Sequence, residues 1–236
     1  MIIQEVKMKK GLVVIIILSL ALMASSCIPS EDSIINMDAD DHTGIMEGVI
    51  DNADEMIPLT TPTVEELLNA ALEAPAVSNS TKTNIQHVLD LLPELDGWLA
   101  EIPDETWQAI DDIMYDIEAF GGNITLTINY LQGGLNSNAW DDYEYLPEAL
   151  EFGIDLLEAG EDTIYNPGWS PYAEEPLVGF NVSQLWREDL EGGIAGAVGA
   201  ALADIAPAQY VISIGGVVSA VDSSIADLIS QFTDWW

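Results

Sequence analysis

Basic residues are nearly missing from this sequence: five Lys and Arg stand against 41 Asp and Glu, for a formal net charge of −36. A nucleic-acid binder needs clustered cations to neutralise phosphates, so that class is excluded, and anionic lipid headgroups would repel the chain. Cysteine is as scarce. Cys27 is alone, which rules out a disulfide within one chain. Histidine occurs twice, His42 and His87, and neither has a partner at Glu-x-x-His or His-Glu-x-x-His spacing. The stretch Gly168-Trp169-Ser170-Pro171-Tyr172 lacks the second glycine of a nucleophile elbow. Asp38, Asp40 and Asp41 suggest a calcium loop, but Thr43 stands where such a loop needs glycine. These absences leave no catalytic, cofactor-binding or metal residue to assign, and they point to a non-enzymatic structural or interaction module.

What is present begins near the N-terminus. From Met8 the chain reads as a basic start (Lys9, Lys10), a 14-residue apolar run from Gly11 to Ala24, then small residues, which is the pattern of an export signal. As a helix the run would be about 21 Å long, short of the roughly 30 Å hydrocarbon core. Its end, Ala24-Ser25-Ser26-Cys27, resembles the lipobox of bacterial lipoproteins. The resemblance covers residues 8–27 and implies that Cys27 is diacylated on sulfur and becomes the new N-terminus. Each acyl chain contributes about 0.8 kcal/mol per buried CH₂, and two chains anchor stably where one does not. The following Ser30-Glu31-Asp32 is similar to the surface-export signals of Bacteroidetes lipoproteins, which implies the cell envelope, at the outer membrane or cell surface more than the inner membrane.

The expected organisation is a removed signal (1–26), an acidic tether (27–43) and a single helical domain (44–236). Within that domain, parts 44–160 and 182–236 are joined by the aromatic, proline-containing loop 161–181. Beyond residue 26, 40 acidic residues face only Lys82 and Arg187. Area scaling places those charges about 16 Å apart on average. The Debye length is about 10 Å at 0.1 M salt and about 30 Å at 0.01 M, so the charges are screened in ordinary buffer and coupled in dilute salt. Halophilic adaptation, with stability that rises with salt, is the expected consequence.

Hydrophobic periodicity predicts an all-α protein, an irregular helical bundle. Thr63-Val64-Glu65-Glu66 reads as a capping box, with Val64, Leu67, Leu68, Ala71 and Leu72 on one side of the helix that follows. Trp107, Ile110, Ile113, Met114, Ile117 and Phe120 form the next clear stripe, stopped by Gly121-Gly122. A further helix runs from about Pro147 to Ala159. Ile124, Leu126, Ile128 and Tyr130 alternate with polar residues, so one short extended segment is expected near 123–131.

The C-terminal quarter is the most apolar part. Ile205 to Val221 is 17 residues without a charge, about 26 Å as a helix and marginal for spanning a bilayer. A stripe through Tyr210, Ile214, Val217, Val221, Ile225, Leu228, Phe232 and Trp235 continues into the polar Asp222-Ser223-Ser224 region, which indicates packing on protein. Upstream, Gly192, Gly196 and Ala200 recur every four residues and form a helix-packing face that admits a close neighbour. Residues 183–205 and 207–232 are therefore expected to form a buried Gly-zipper hairpin. A membrane-active hairpin, similar to those of peptide bacteriocins, is the alternative.

Trp140, Tyr143, Tyr145, Tyr165, Trp169 and Tyr172 put six Trp or Tyr into 33 residues, where an even distribution would place about two. Interleaved with carboxylates, they suggest either a stacking platform for sugar rings or a cation, or pins that hold the loop to the bundle. The expected partners are thus a membrane, through the lipid on Cys27, and an envelope protein or glycan.

Overall fold

The computed structural model describes residues 37–56, 62–166, 181–203 and 208–233, and among them every regular element is helical. The helices are α1 (Ala39–Met56), α2 (Val64–Glu73), α3 (Asn79–Leu91), α4 (Leu95–Leu99), α5 (Asp104–Glu118), α6 (Ile124–Asn136), α7 (Leu146–Gly160), α8 (Val182–Leu202) and α9 (Ala208–Thr233). A short 3₁₀ turn, Leu92–Glu94, links α3 to α4.

The antiparallel hairpin α8–α9 is the centre of the bundle. Helix α7 lies along α8, and α1 packs on α2, α3, α7 and α9, while α4 and α5 cover the other side of α8. From Gly192 to Ala201 every residue of α8 is buried, as is every residue of α9 from Gly215 to Val221. A helix buried all round needs apolar or small residues on every face, which explains the missing charges. Gly196 and Gly215 set the separation of the two rods: a Cβ on Gly196 would strike the Gly215 carbonyl oxygen, and one on Gly215 would strike the Ala200 side chain. Gly192 lies as close to Ser219 and Ser223.

Two segments differ from the sequence reading. Residues 123–131, expected to be extended, form the start of α6. Asn123 caps it by accepting the Leu126 N–H at 3.0 Å, and Ile124, Thr127, Ile128 and Leu131 are buried at helical spacing. Thr127 misled the period-two reading because a polar residue looked outward. Its hydroxyl donates to the Asn123 carbonyl at 3.2 Å, which satisfies it inside the core.

Residues 39–43, expected in the tether, are the first turn of α1. Asp38 and Asp41 close a reciprocal cap: the Asp41 N–H donates to Asp38 Oδ1 at 3.1 Å and the Asp38 N–H to Asp41 Oδ2 at 3.0 Å. The clustered carboxylates thus start a helix, where negative charge favours the dipole. Met37, Ile45, Met46, Val49 and Ile50 then enter the core, each at 2% exposure or less. Burial of each such side chain contributes about 1.5 to 3 kcal/mol.

Elsewhere the capping box at Thr63 and Glu66 is formed in both directions. Carboxylates find neutral donors in place of cations. Gln86 donates to Asp90, Gln108 to Asp112 and Asn84 to Asp41, while Gln184 and Gln231 both donate to Asp227. The one Lys or Arg ion pair among the described residues is Arg187 with Glu118, at 3.9 Å.

Candidate functional site

Of the aromatic residues singled out by sequence, Trp140, Tyr143, Tyr145 and Tyr165 lie among the described residues, and none of the four is exposed. Trp140 is half-buried and folds over Gly134, where any side chain would collide with its ring. It meets Tyr130 edge-on at 6.1 Å, and Tyr130 in turn meets Phe120 at 5.6 Å. The Tyr130 hydroxyl donates to Asp116 at 2.7 Å, and burial, this bond and the charges of Asp116 and Asp112 push its pKa up to about 12. Tyr143 and Tyr145 pack half-buried against the core. Tyr145 stands before α7 with φ of 62°, in the left-handed region that a bulky residue enters only when its surroundings hold it there. Trp169, Tyr172 and most of the loop 161–181 lie outside the described residues, as does Cys27.

Tyr165 is a correction to the platform reading. At 2% exposure its ring offers no stacking face. After α7 ends, the Tyr165 N–H turns back to the Gly160 carbonyl at 3.0 Å, and the ring lies over Gly160, where no side chain stands in its way. That turn carries the hydroxyl into the bundle, where it donates to Asp189 Oδ2 at 2.6 Å. Asp189 sits mid-α8 with no exposure, and the same oxygen lies 3.6 Å from Nε2 of His42, the fourth residue of α1. That last distance is too long for a hydrogen bond.

Among the described residues, both ring nitrogens of His42, Oδ1 of Asp189 and Oγ of Ser224 on α9 have no hydrogen-bond partner. Burial drives each titratable group toward its neutral form. It lowers the His42 pKa to about 3 and raises Asp189 well above the usual carboxylate range, against the hydrogen bond from Tyr165 and with the charges of Asp227 and Glu188 adding to the rise. Tyr165 is raised for the same reasons, burial first and then Asp189. Burial thus opposes charge on the imidazole, the carboxyl and the phenol alike. Ser, His and Asp are the residue types of a nucleophilic triad, but all three are fully buried, and Ser224 Oγ makes no hydrogen bond to His42.

His42 falls within the stretch expected to be tether. The signal that places it was present: His42, Ile45, Met46, Val49, Ile50 and Ala53 follow helical spacing. No comparable local signal marks Asp189 or Tyr165, whose meeting depends on tertiary packing.

Two of the concavities on the surface are lined by described residues alone. The larger, about 400 Å³, lies where the start of α6, the end of α7 and the start of α8 converge, with Asn123, Thr125, Glu161, Ser183 and the edges of Tyr165 and Trp186 in its wall. The smaller, about 130 Å³, lies between Trp107 and the α8–α9 hairpin. Among the described residues no group of three or more His, Cys, Asp or Glu is placed to hold a metal ion. No protein-family model, curated protein or solved structure matches the chain.

Proposed function

We propose that this protein is a lipid-anchored cell-envelope protein, attached through acyl chains on Cys27 at the outer membrane or cell surface, whose acidic helical domain serves as a non-enzymatic structural or interaction module. The observation that carries the reading is the state of the hairpin. Among the described residues one stretch, Tyr210–Gln231, is long and apolar enough to cross a membrane, and 67% of its most apolar window is already buried against other helices. Apolar surface used inside the bundle is not free for lipid, and the carboxylate-rich exterior is repelled by anionic headgroups. Attachment then falls to Cys27. Detergent-phase partitioning tests this directly: the wild-type protein is expected in the detergent phase and the Cys27→Ala protein in the aqueous phase. Persistent membrane association of the alanine variant would return the hairpin to consideration as a membrane element.

A second reading, glycan recognition, draws support from the larger concavity, whose amide, hydroxyl and carboxylate groups suit sugar hydroxyls. A glycan array probed with wild type and Thr125→Val distinguishes it, and absence of any binder on the array retires it.

A further inference from the structure

The smaller concavity has a wall unlike the rest of the surface. Leu99 and Trp107 form its apolar side, Glu188 and Glu191 enter from α8, and Ser219 and Ser223 from α9. The two glutamates are three residues apart on one helical face, and burial raises the pKa of both. Glu191 and Asp227 press further on Glu188, and Asp111, one turn beyond Trp107 on α5, presses on Glu191. Arg187 acts favourably on both, but its Nη1 lies toward Glu118, and neither glutamate forms a salt bridge among the described residues. Half-buried negative charge without a contact ion pair is a costly arrangement in a fold.

A second feature points the same way. Ser219 is 3% exposed and lines this pocket, and its hydroxyl forms no hydrogen bond with any described residue. A volume of 130 Å³ is that of about four waters, enough for three to five non-hydrogen atoms. A hard divalent ion would need six to eight oxygen ligands or its own hydration shell, and an indole wall serves neither. A weakly hydrated cation gains from that wall.

We propose that this pocket binds a small organic cation, an ammonium group with N–H donors and a short alkyl chain. In this arrangement Glu188 and Glu191 are the counter-charges, Ser219 accepts an N–H, and Leu99 and Trp107 enclose the alkyl part. The inference goes beyond the anchored-module reading and does not depend on the lipid at Cys27.

Calorimetric titration of the full-length protein in nonionic detergent with n-propylammonium chloride, at ionic strength held constant with NaCl, tests it. Saturable binding at one site is expected, weakened about tenfold in Glu191→Gln, several-fold in Ser219→Ala and about threefold in Trp107→Leu. Melting temperatures of the variants show whether the fold is kept, and Glu191→Gln is expected to melt no lower than wild type. The proposal is overturned by heats that do not exceed those of added NaCl, by binding that is unchanged in Glu191→Gln, or by displacement of propylammonium by equimolar Mg²⁺.

Discussion

The Tyr165 hydroxyl and the Asp189 carboxylate meet at 2.6 Å with neither residue more than 2% exposed. Because Asp189 also lies 3.6 Å from His42, this one contact joins the turn after α7 to the centre of α8 and the start of α1. The phenol is the only hydrogen-bond donor that reaches this carboxylate among the described residues. Its removal leaves the acid buried without a partner, at a cost of about 1 to 3 kcal/mol. Tyr165→Phe is therefore expected to lower the melting temperature by several degrees, with little change in helix content by circular dichroism.

The same cluster predicts a bell-shaped dependence of stability on pH. Asp189 is raised from an ordinary value of 3.8, so the folded state holds a proton that the unfolded chain has released, and stability from this group is gained as pH falls. His42 is lowered from 6.5 to about 3, so its contribution is present above 6.5 and is lost as pH falls through that interval. The two groups therefore pull in opposite directions: acidification favours the fold through Asp189 and opposes it through His42. Glu188, Glu191, Asp222 and Asp227, all raised first by burial, add to the gain on the way down from neutral pH. Maximum stability is expected between about pH 4 and 6. Asp189→Asn is expected to flatten the alkaline limb. A wild-type melting temperature that climbs steadily from pH 5 to 8 contradicts this electrostatic account.

The hairpin gives a paired test in which the same substitution has opposite signs. Alanine favours a helix over glycine by about 1 kcal/mol. At Gly133, on the exposed side of α6, an added Cβ meets nothing within 4 Å, so Gly133→Ala is expected to stabilise by about 0.5 to 1 kcal/mol. At Gly196 the added Cβ meets the Gly215 carbonyl, and two backbones must separate. Gly196→Ala is expected to destabilise by about 1 to 3 kcal/mol despite its better propensity. Chemical denaturation of both variants decides the matter, and equal effects at the two sites would falsify the close-approach role of Gly196.

Helices announced by apolar stripes and caps were legible because those signals are local. The Thr63 capping box, the α5 stripe and the placement of Gly192, Gly196 and Ala200 against α9 each follow from spacings within one segment. Thr127 shows where that logic stops: its polarity suggested an exposed strand position, yet a hydrogen bond within its own turn admits it to the core. His42 shows a second limit. The acids around it, Asp38, Asp40 and Asp41, resembled a solvated linker, whereas two of them cap the helix that carries His42 inward. Asp189 carries no local mark that sets it apart from the other carboxylates, and only the turn that brings Tyr165 onto Gly160 reveals its partner.

Salt is expected to stabilise the protein, for a reason visible in the side-chain partners. With cations almost absent, Gln108 and Tyr130 satisfy Asp112 and Asp116 by hydrogen bonding, but a neutral donor does not cancel a charge at long range. Mutual repulsion among the surface acids therefore persists in dilute buffer and is screened as the Debye length falls from about 30 Å at 0.01 M to about 3 Å at 1 M. The melting temperature is expected to rise between 0.02 and 1 M NaCl, most steeply below 0.2 M. An unchanged value across that range contradicts the idea that dispersed repulsion limits stability.

Replacement of His42 separates a structural residue from a functional one. Both of its ring nitrogens are buried without hydrogen-bond partners among the described residues, so the imidazole contributes packing and carries a desolvation penalty. A leucine has comparable bulk and no polar atom to satisfy. His42→Leu is expected to raise the melting temperature at pH 7 and to remove the part of the acid limb between pH 6.5 and 3 that His42 supplies, since no imidazole remains to take up a proton on unfolding. Asp189 keeps its bond from Tyr165 in that variant. If His42→Leu instead lowers the melting temperature at pH 5 and pH 7 alike, the imidazole is held by an interaction with Asp189 stronger than a 3.6 Å approach between neutral groups supplies. The charged form of the pair would then describe the core.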